Sequence, residues 1–178
     1  MRWFLILLLP HFVYAQQTLF LNEQSDATDI KKAWKINTNI DKKYRAIYRD
    51  PTWYLSNDEN LQHAPRTAVK IHFQHNSFTI LAASYPILAE HAKVLQEHPN
   101  AVVVIAGHTD NRGSALYNLG LSYKRAEAVQ QFLIQQHMIS ATQLRIKPYG
   151  EMQPIASNDS ESGRLLNRRV EFLYLGEL

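Results

Sequence analysis

The sequence predicts an α+β domain in which a single mixed sheet carries its helices on one face. Three observations predict this class. An apolar, β-branched run from Val102 to Ile105 has the length of a buried strand and is bounded by a glycine. Helical patterns of apolar residues lie on both sides of it. Further strand patterns flank those helices, and a single mixed sheet is the natural arrangement for that order.

The predicted order is βαβαβ, a polar connection with room for a further helix, and a last β. The first strand alternates Val69, Ile71 and Phe73 with polar residues, and Pro99-Asn100 ends the helix that follows. That helix repeats apolar residues at helical spacing, namely Leu81, Tyr85, Leu88, Ala92 and Leu95. The remaining elements are a helix up to about His137, a strand over 144–149, a polar loop over 151–166, and a last strand over 169–174.

Residues 1–15 have the pattern of an export signal. Arg2 precedes an apolar run over 3–9, and Val13-Tyr14-Ala15 matches the small-residue pattern at which such signals are cleaved. The run is shorter than the roughly 20 residues that span a bilayer. We therefore expect cleavage after Ala15 and export; an uncleaved membrane anchor is the alternative.

Composition narrows the class of protein further. The 178 residues contain no cysteine, so we expect neither disulfides nor a lipidated N-terminal cysteine. The net charge is +3, without the clustered basic face that nucleic-acid binding favours. We predict a protein that is not lipidated and has no nucleic-acid partner.

Residues 16–66 form a polar stretch in which no helical or strand period persists. One interpretation is a solvated extension of the domain over 67–178. The other is a docking arm, whose aromatic residues, among them Trp34, Trp53 and Tyr54, become ordered on an envelope protein partner. Both interpretations make the stretch separable from the domain that follows.

The stretch richest in chemistry is Gly107-His108-Thr109-Asp110-Asn111-Arg112-Gly113, which joins the buried strand to the second helix. Asp110 lies in the turn leaving the strand, and Arg125 lies on the helix. Asn118, Leu121 and Arg125 recur along one side of that helix. An acid and a base placed in this way can face a single small zwitterion.

These residues resemble the OmpA-like peptidoglycan-binding domain family. The family pattern G-H-T-D-x-x-G, N-x-x-L-S-x-x-R-A-x-x-V and N-R-R-V occurs here at 107–113, 118–129 and 167–170. The resemblance covers about Val69 to Tyr174. It implies a non-catalytic periplasmic module, near the cell wall and outer membrane, that binds the diaminopimelate residue of the peptidoglycan stem peptide non-covalently and anchors an envelope component.

The resemblance also implies the roles of individual residues. Asp110 would accept the ammonium protons at the free end of diaminopimelate, and Arg125 would hold the carboxylate with paired donors. Thr109 belongs to the same motif. Asn118 would bond to the ligand or order the loop, and Leu121 would wall the apolar side of the pocket.

Two further residues come from other blocks of the pattern. Arg168 would approach the ligand from the last strand, although either Arg168 or Arg169 is equally plausible as a structural partner for a carboxylate. Family members usually carry an Asp-rich F-D-x-D/N turn after the first strand, where this chain has Gln74-His75. Asn76 can still exchange hydrogen bonds with the stem peptide.

Other readings compete with this one. Asp110 and Arg125 alone could be a surface ion pair, worth about 0–1 kcal/mol. The domain could also be a structural scaffold of an envelope-spanning secretion or motor complex, with little or no wall binding. The histidines do not supply the three or four convergent ligands that zinc needs, and no motif places a nucleophile beside a base. We predict no metal, no cofactor and no enzymatic activity.

Overall fold

The computed structural model describes residues 19–21, 25–34, 61, 64, 66–69, 71, 73 and 77–177. The strands are β1 (Leu19–Leu21), β2 (Arg66–Val69), β3 (Ala101–His108), β4 (Leu144–Gly150) and β5 (Val170–Glu177). The helices are α1 (Ala27–Trp34), α2 (Tyr85–Glu97), α3 (Ala115–His137) and α4 (Glu161–Asn167), with 3₁₀ turns at Ala82–Ser84 and Ala141–Gln143. The expected export signal lies outside the described residues.

Within the described residues the strands form one mixed sheet in the order β1-β2-β5-β3-β4. The pairs β1–β2 and β3–β4 are parallel, whereas β5 runs antiparallel to both β2 and β3. Strand β3 is buried along its whole length because it has a neighbour on each edge and a packed layer on each face. The predicted α+β class and mixed sheet are confirmed.

The main core lies between the sheet and helices α1 to α3, which all pack on one face. Alternate residues of the central strands point into it, such as Val103, Ile105 and Phe172. The opposite face carries a smaller apolar cluster formed by Leu61, Ala64, Val102, Val104, Ala106, Tyr149, Leu173 and Leu175. Helices α1 to α3 therefore lie on one face, as the sequence predicts.

Local signals set the helix starts. Ser114 caps α3, because its hydroxyl accepts a hydrogen bond from the backbone N–H of Tyr117. Ser160 caps α4 in the same way, since its hydroxyl accepts from the backbone N–H of Gly163. The segment predicted as a polar loop therefore contains a short helix. Leu81 and Tyr85 were expected on the buried face of α2 but are exposed, because Leu81 precedes the helix and Tyr85 only begins it. No helix among the described residues is long and apolar enough to cross a membrane.

Three parts of the stretch 16–66 pack against the sheet: β1, α1, and Leu61 with Ala64 in the smaller apolar cluster. This packing argues against the expectation that the whole stretch is separable. Strand β1 extends the sheet beside β2. On α1, Ile30, Ala33 and Trp34 are almost fully buried in the main core. Their spacing of three and four residues does form a helical stripe, but one so short and so interrupted by lysines that the sequence hides it. Residues 35–60, with the other aromatics of the proposed arm, lie outside the described residues.

The buried His91 makes stability depend on pH. Its Nε2 lies 3.0 Å from the Thr67 hydroxyl and its Nδ1 lies 2.9 Å from the Ile87 carbonyl oxygen. Burial lowers the pKa of His91 from 6.5 to about 4, although the bond to Ile87 and the charge of Glu90 oppose the shift. The unfolded chain binds this proton near pH 6.5 and the folded chain only near pH 4, so acid favours unfolding between these values.

We expect the free energy of unfolding to fall as the pH drops from 6.5 to 4, with His91 contributing roughly 3 kcal/mol. His91→Gln should make this fall less steep, because the amide does not titrate. Urea unfolding of both proteins at pH 7, 5.5 and 4 measures the difference. Parallel curves for the two proteins would contradict the assignment.

Candidate functional site

The candidate site lies at the carboxyl end of β3, where the chain turns into α3. Thr109 and Asp110 directly follow the strand and are both buried. The backbone N–H of Thr109 donates to the Gly150 carbonyl oxygen at 2.8 Å, which holds the turn against the end of β4. The Thr109 hydroxyl is buried and has no hydrogen-bond partner within the described part of the chain.

Asp110 is paired with Arg168. One carboxylate oxygen, Oδ2, accepts from Nη1 of Arg168 at 2.5 Å, and the other, Oδ1, accepts from the backbone N–H of Arg112 at 3.0 Å. The side chain of Asp110 is 10% exposed and that of Arg168 28%. The acid and base that the motif was expected to offer to a ligand, Asp110 and Arg125, do not form an ion pair with each other.

Arg125 lies on α3 and is 9% exposed. Its Nε donates to the Ser77 carbonyl oxygen at 3.4 Å, and its guanidinium lies 4.9 Å from the centre of the Phe73 ring. Burial lowers the pKa of Arg125, the charge of Arg168 adds to this shift, and Asp110 opposes it. Among the described residues, no carboxylate lies within ion-pair distance of this guanidinium.

The other predicted residues of the second helix occupy different positions relative to this pair. Asn118 is buried in the second turn of α3, and its Nδ2 donates to the Asp110 carbonyl oxygen at 3.3 Å and to Oε2 of Glu151 at 2.6 Å. It therefore ties the β3–α3 turn to the segment after β4. Leu121 is half-buried, one turn before Arg125. Asn76 lies outside the described residues.

The neighbouring side chains of Arg168 and Arg169 contact different partners. Arg168 is the C-terminal cap of α4 and does not belong to the last strand, from which it was expected to approach the ligand. It contacts Asp110 and Glu161. Arg169 is buried on the sheet face opposite the helices and pairs with Glu171 at 2.7 Å. The divergence arises because consecutive residues in an extended segment point in opposite directions. Arg169 is the structural partner of a carboxylate that the sequence left open.

Three residues of this region were not predicted as site residues. Glu161 binds Arg168 at 2.7 Å, and Ser77 and Phe73 hold Arg125. Glu161 lies in the first turn of α4, a helix that the Ser160 cap alone could have suggested. The contacts of Ser77 and Phe73 depend on how the segment before α2 folds onto α3.

The two buried histidines of the described chain lie on opposite faces of the sheet. His91 is in the main core, and His108 is buried on the opposite face, where its Nε2 lies 3.9 Å from Oε2 of Glu171. His72 and His75 lie outside the described residues. Within the described part of the chain, no group of three His, Cys, Asp or Glu side chains is placed to hold a metal ion.

Gly107 sets the spacing between β3 and α3 directly before this turn. A methyl group there would overlap the Ser122 carbonyl oxygen and would lie 2.9 Å from its carbon and 3.2 Å from the Ser122 Cα. We expect Gly107→Ala to lower the free energy of unfolding by about 1–3 kcal/mol or more. Gly120→Ala, on α3 with open space around the new methyl group, should instead be neutral or stabilising. Thermal unfolding measures the melting temperatures of the two variants. Equal melting temperatures would contradict the close approach of β3 to α3 at Gly107.

The model of the OmpA family matches residues 72–168, more than half of the chain. The chain belongs to the OmpA family. A relative, the peptidoglycan-associated lipoprotein of Legionella pneumophila, is 38% identical over 102 residues. That match spans 57% of this chain and 57% of the relative.

Solved structures agree with the OmpA assignment. The peptidoglycan-associated lipoprotein from Burkholderia pseudomallei is 29% identical, with a TM-score of 0.55, over 68% of this chain and 98% of that one. The cell wall anchor of the T6SS from Pseudomonas aeruginosa is 27% identical, with a TM-score of 0.52, over 61% of this chain and 76% of that one.

The OmpA match contains every described residue of the predicted site, and Arg168 is its last residue. Strands β1 and β2, helix α1 and strand β5 lie outside it. The sheet that supports the site is therefore completed by residues beyond the matched region.

Proposed function

We propose that this protein is a non-catalytic module that binds the stem peptide of peptidoglycan non-covalently and so anchors an envelope component to the cell wall. Its ligand would be the free amino-acid end of diaminopimelate. The observation that carries the proposal is the guanidinium of Arg125, which is buried and has no carboxylate partner among the described residues. Burying an unpaired charge is costly, so a site that keeps one gains by binding a carboxylate.

The surroundings of Arg125 suit a carboxylate ligand. The Ser77 carbonyl oxygen accepts from Nε of Arg125, and the Phe73 ring covers one face of the guanidinium. The two terminal nitrogens are left as a pair of parallel donors. Asp110 is near enough to influence the pKa of Arg125 and supplies an acceptor for an ammonium group. Asn118 and Thr109 would complete the polar wall and Leu121 the apolar one. Asn76, which lies outside the described residues, would exchange hydrogen bonds with the stem peptide.

The names of the relatives support the same function. They include a peptidoglycan-associated lipoprotein and a cell wall anchor, both non-enzymatic by name. Location in the periplasm, next to the wall and outer membrane, would follow from the export signal proposed over residues 1–15. Envelope proteins would be further partners, through residues 35–60 of the proposed arm.

A structural scaffold in an envelope-spanning complex is the second candidate, favoured by the likeness to a secretion-system wall anchor. The two candidates differ in wall binding. Purified protein lacking residues 1–15 should co-sediment with isolated sacculi if it binds the wall. Protein that stays in the supernatant, while its unfolding is cooperative, would favour the scaffold.

Arg125→Lys is expected to weaken binding of a diaminopimelate tripeptide about tenfold or more, because lysine keeps the charge but loses the paired donors. Titration calorimetry measures the dissociation constants. Arg145→Lys makes the same change on β4. Among the described residues, the Arg145 guanidinium bonds only to the Ala141 and Leu144 carbonyl oxygens, so this variant should bind like the wild type. Equal affinities for all three proteins would assign Arg125 a structural role.

A further inference from the structure

Asp110 is neutralised within the chain before any ligand ammonium reaches it. Arg168 donates to Oδ2 at 2.5 Å and the backbone N–H of Arg112 donates to Oδ1 at 3.0 Å. An ammonium group that binds Asp110 must therefore displace or share the contact with Arg168. The free energy gained is only the difference between the ammonium–Asp110 and Arg168–Asp110 interactions, not the whole of the ammonium–Asp110 interaction.

Arg168 has a second carboxylate on which it can stay bound. Its Nη2 donates to Oε1 of Glu161 at 2.7 Å. Glu161 also accepts from Arg164 at 2.9 and 3.0 Å and lies 3.6 Å from Nη2 of Arg112. The guanidinium of Arg168 thus bridges a buried carboxylate and an exposed one, and release from Asp110 leaves it held at the rim of the site.

Arg125 differs from Asp110 in this respect. It is as deeply buried, but its described contacts are a carbonyl oxygen and an aromatic ring, neither of which cancels its charge. A ligand carboxylate therefore meets a buried cation with no counter-ion among the described residues. A ligand ammonium meets the carboxylate of Asp110, which already has Arg168 as its counter-ion.

We propose that Arg168 is a specificity-determining residue that competes with the ligand ammonium for Asp110, and that Glu161 positions Arg168 for this exchange. The inference rests on the proposed function and deepens it. The ligand class is then any peptide end with a free carboxylate that fits Arg125, whether its amino group is free or acylated. The carboxylate leads recognition, and the amino group adds little while Arg168 is present.

The test is a cycle of two proteins and two ligands, measured by titration calorimetry. The ligands are a diaminopimelate tripeptide with a free distal amino group and the same tripeptide acetylated there. In the wild type, acetylation should raise the dissociation constant less than about fivefold. In Arg168→Gln, where Asp110 has lost its internal counter-ion, it should raise the constant more than about tenfold.

Arg112→Gln is the matched control. It removes a guanidinium from the same Glu161 cluster, but its backbone N–H still donates to Asp110. Acetylation of the tripeptide should raise the dissociation constant of this variant by the same factor as that of the wild type. A second variant, Glu161→Gln, leaves Arg168 more firmly on Asp110, so the free-amine tripeptide should bind about threefold more weakly and the acetylated one unchanged.

The outcomes separate the two proposals. If the tripeptide binds the wild type but acetylation costs the same factor in Arg168→Gln, Arg168 is a simple ligand or structural contact and the competition is wrong, while the proposed function stands. If Arg168→Gln does not fold, the Glu161→Gln result decides, and equal weakening of both ligands overturns the competition. If neither tripeptide binds the cooperatively folded wild type, both proposals are overturned.

Discussion

Trp34→Ala is expected to lower the free energy of unfolding by about 3–5 kcal/mol. Trp34 is 4% exposed. Its indole stacks on Tyr174 of β5, with ring centres 5.4 Å apart, and meets His91 of α2 edge-on at 6.0 Å. Truncation would leave a cavity between α1, α2 and the sheet, and the surrounding rings can close it only in part. Urea unfolding at pH 7 measures the change.

Leu116→Ala is the control for this experiment, because Leu116 is 81% exposed and a surface truncation should change stability by no more than about 0.5 kcal/mol. The comparison also tests where the folding unit begins. A large loss in Trp34→Ala would support the inference that α1 belongs to the folding unit. A loss as small as that of the control would mean that residues 16–66 are separable after all.

Glu171→Gln is expected to lower the free energy of unfolding by a similar amount, about 3–5 kcal/mol, because it removes a buried anion from a cluster of cations. Glu171 is 1% exposed and accepts from Nε of Arg169 at 2.7 Å and from Nη1 of Arg66 at 3.3 Å. Burial alone would raise the pKa of Glu171, but His108, Arg169 and Arg66 outweigh it and lower the pKa to about 2. The amide would leave the buried guanidinium of Arg169 without the carboxylate that it contacts.

The pH dependence has a definite sign. The unfolded carboxyl titrates near 4.5 and the folded one near 2, so the stabilisation from Glu171 is fully present above 4.5 and is lost as the pH falls toward 2. Glu161→Gln is the matched control, since Glu161 also binds several arginines but is exposed to solvent. It should change stability far less. Equal effects of the two substitutions at pH 7 would contradict the importance of burial.

Much of the fold could be predicted because its signals are local. The Val102–Ile105 run, the stripe on α2 and the alternation in β5 each need only neighbours in sequence to be recognised, and all three became the elements expected. The position of Asp110 in a turn and of Arg125 on a helix follows from the same local patterns. What the sequence misjudged was α1, whose apolar stripe of three residues is too short to separate from chance.

The sequence by itself predicted the α+β class, the turn after β3 that carries Asp110, and the helix that carries Arg125. The tertiary structure alone decided which charges meet. Arg168, 58 residues after Asp110, reaches it because α4 brings the chain back across the carboxyl end of β3. Ion pairs of this kind depend on where distant segments pack, and sequence periodicity reports only which face of its own element a residue lies on.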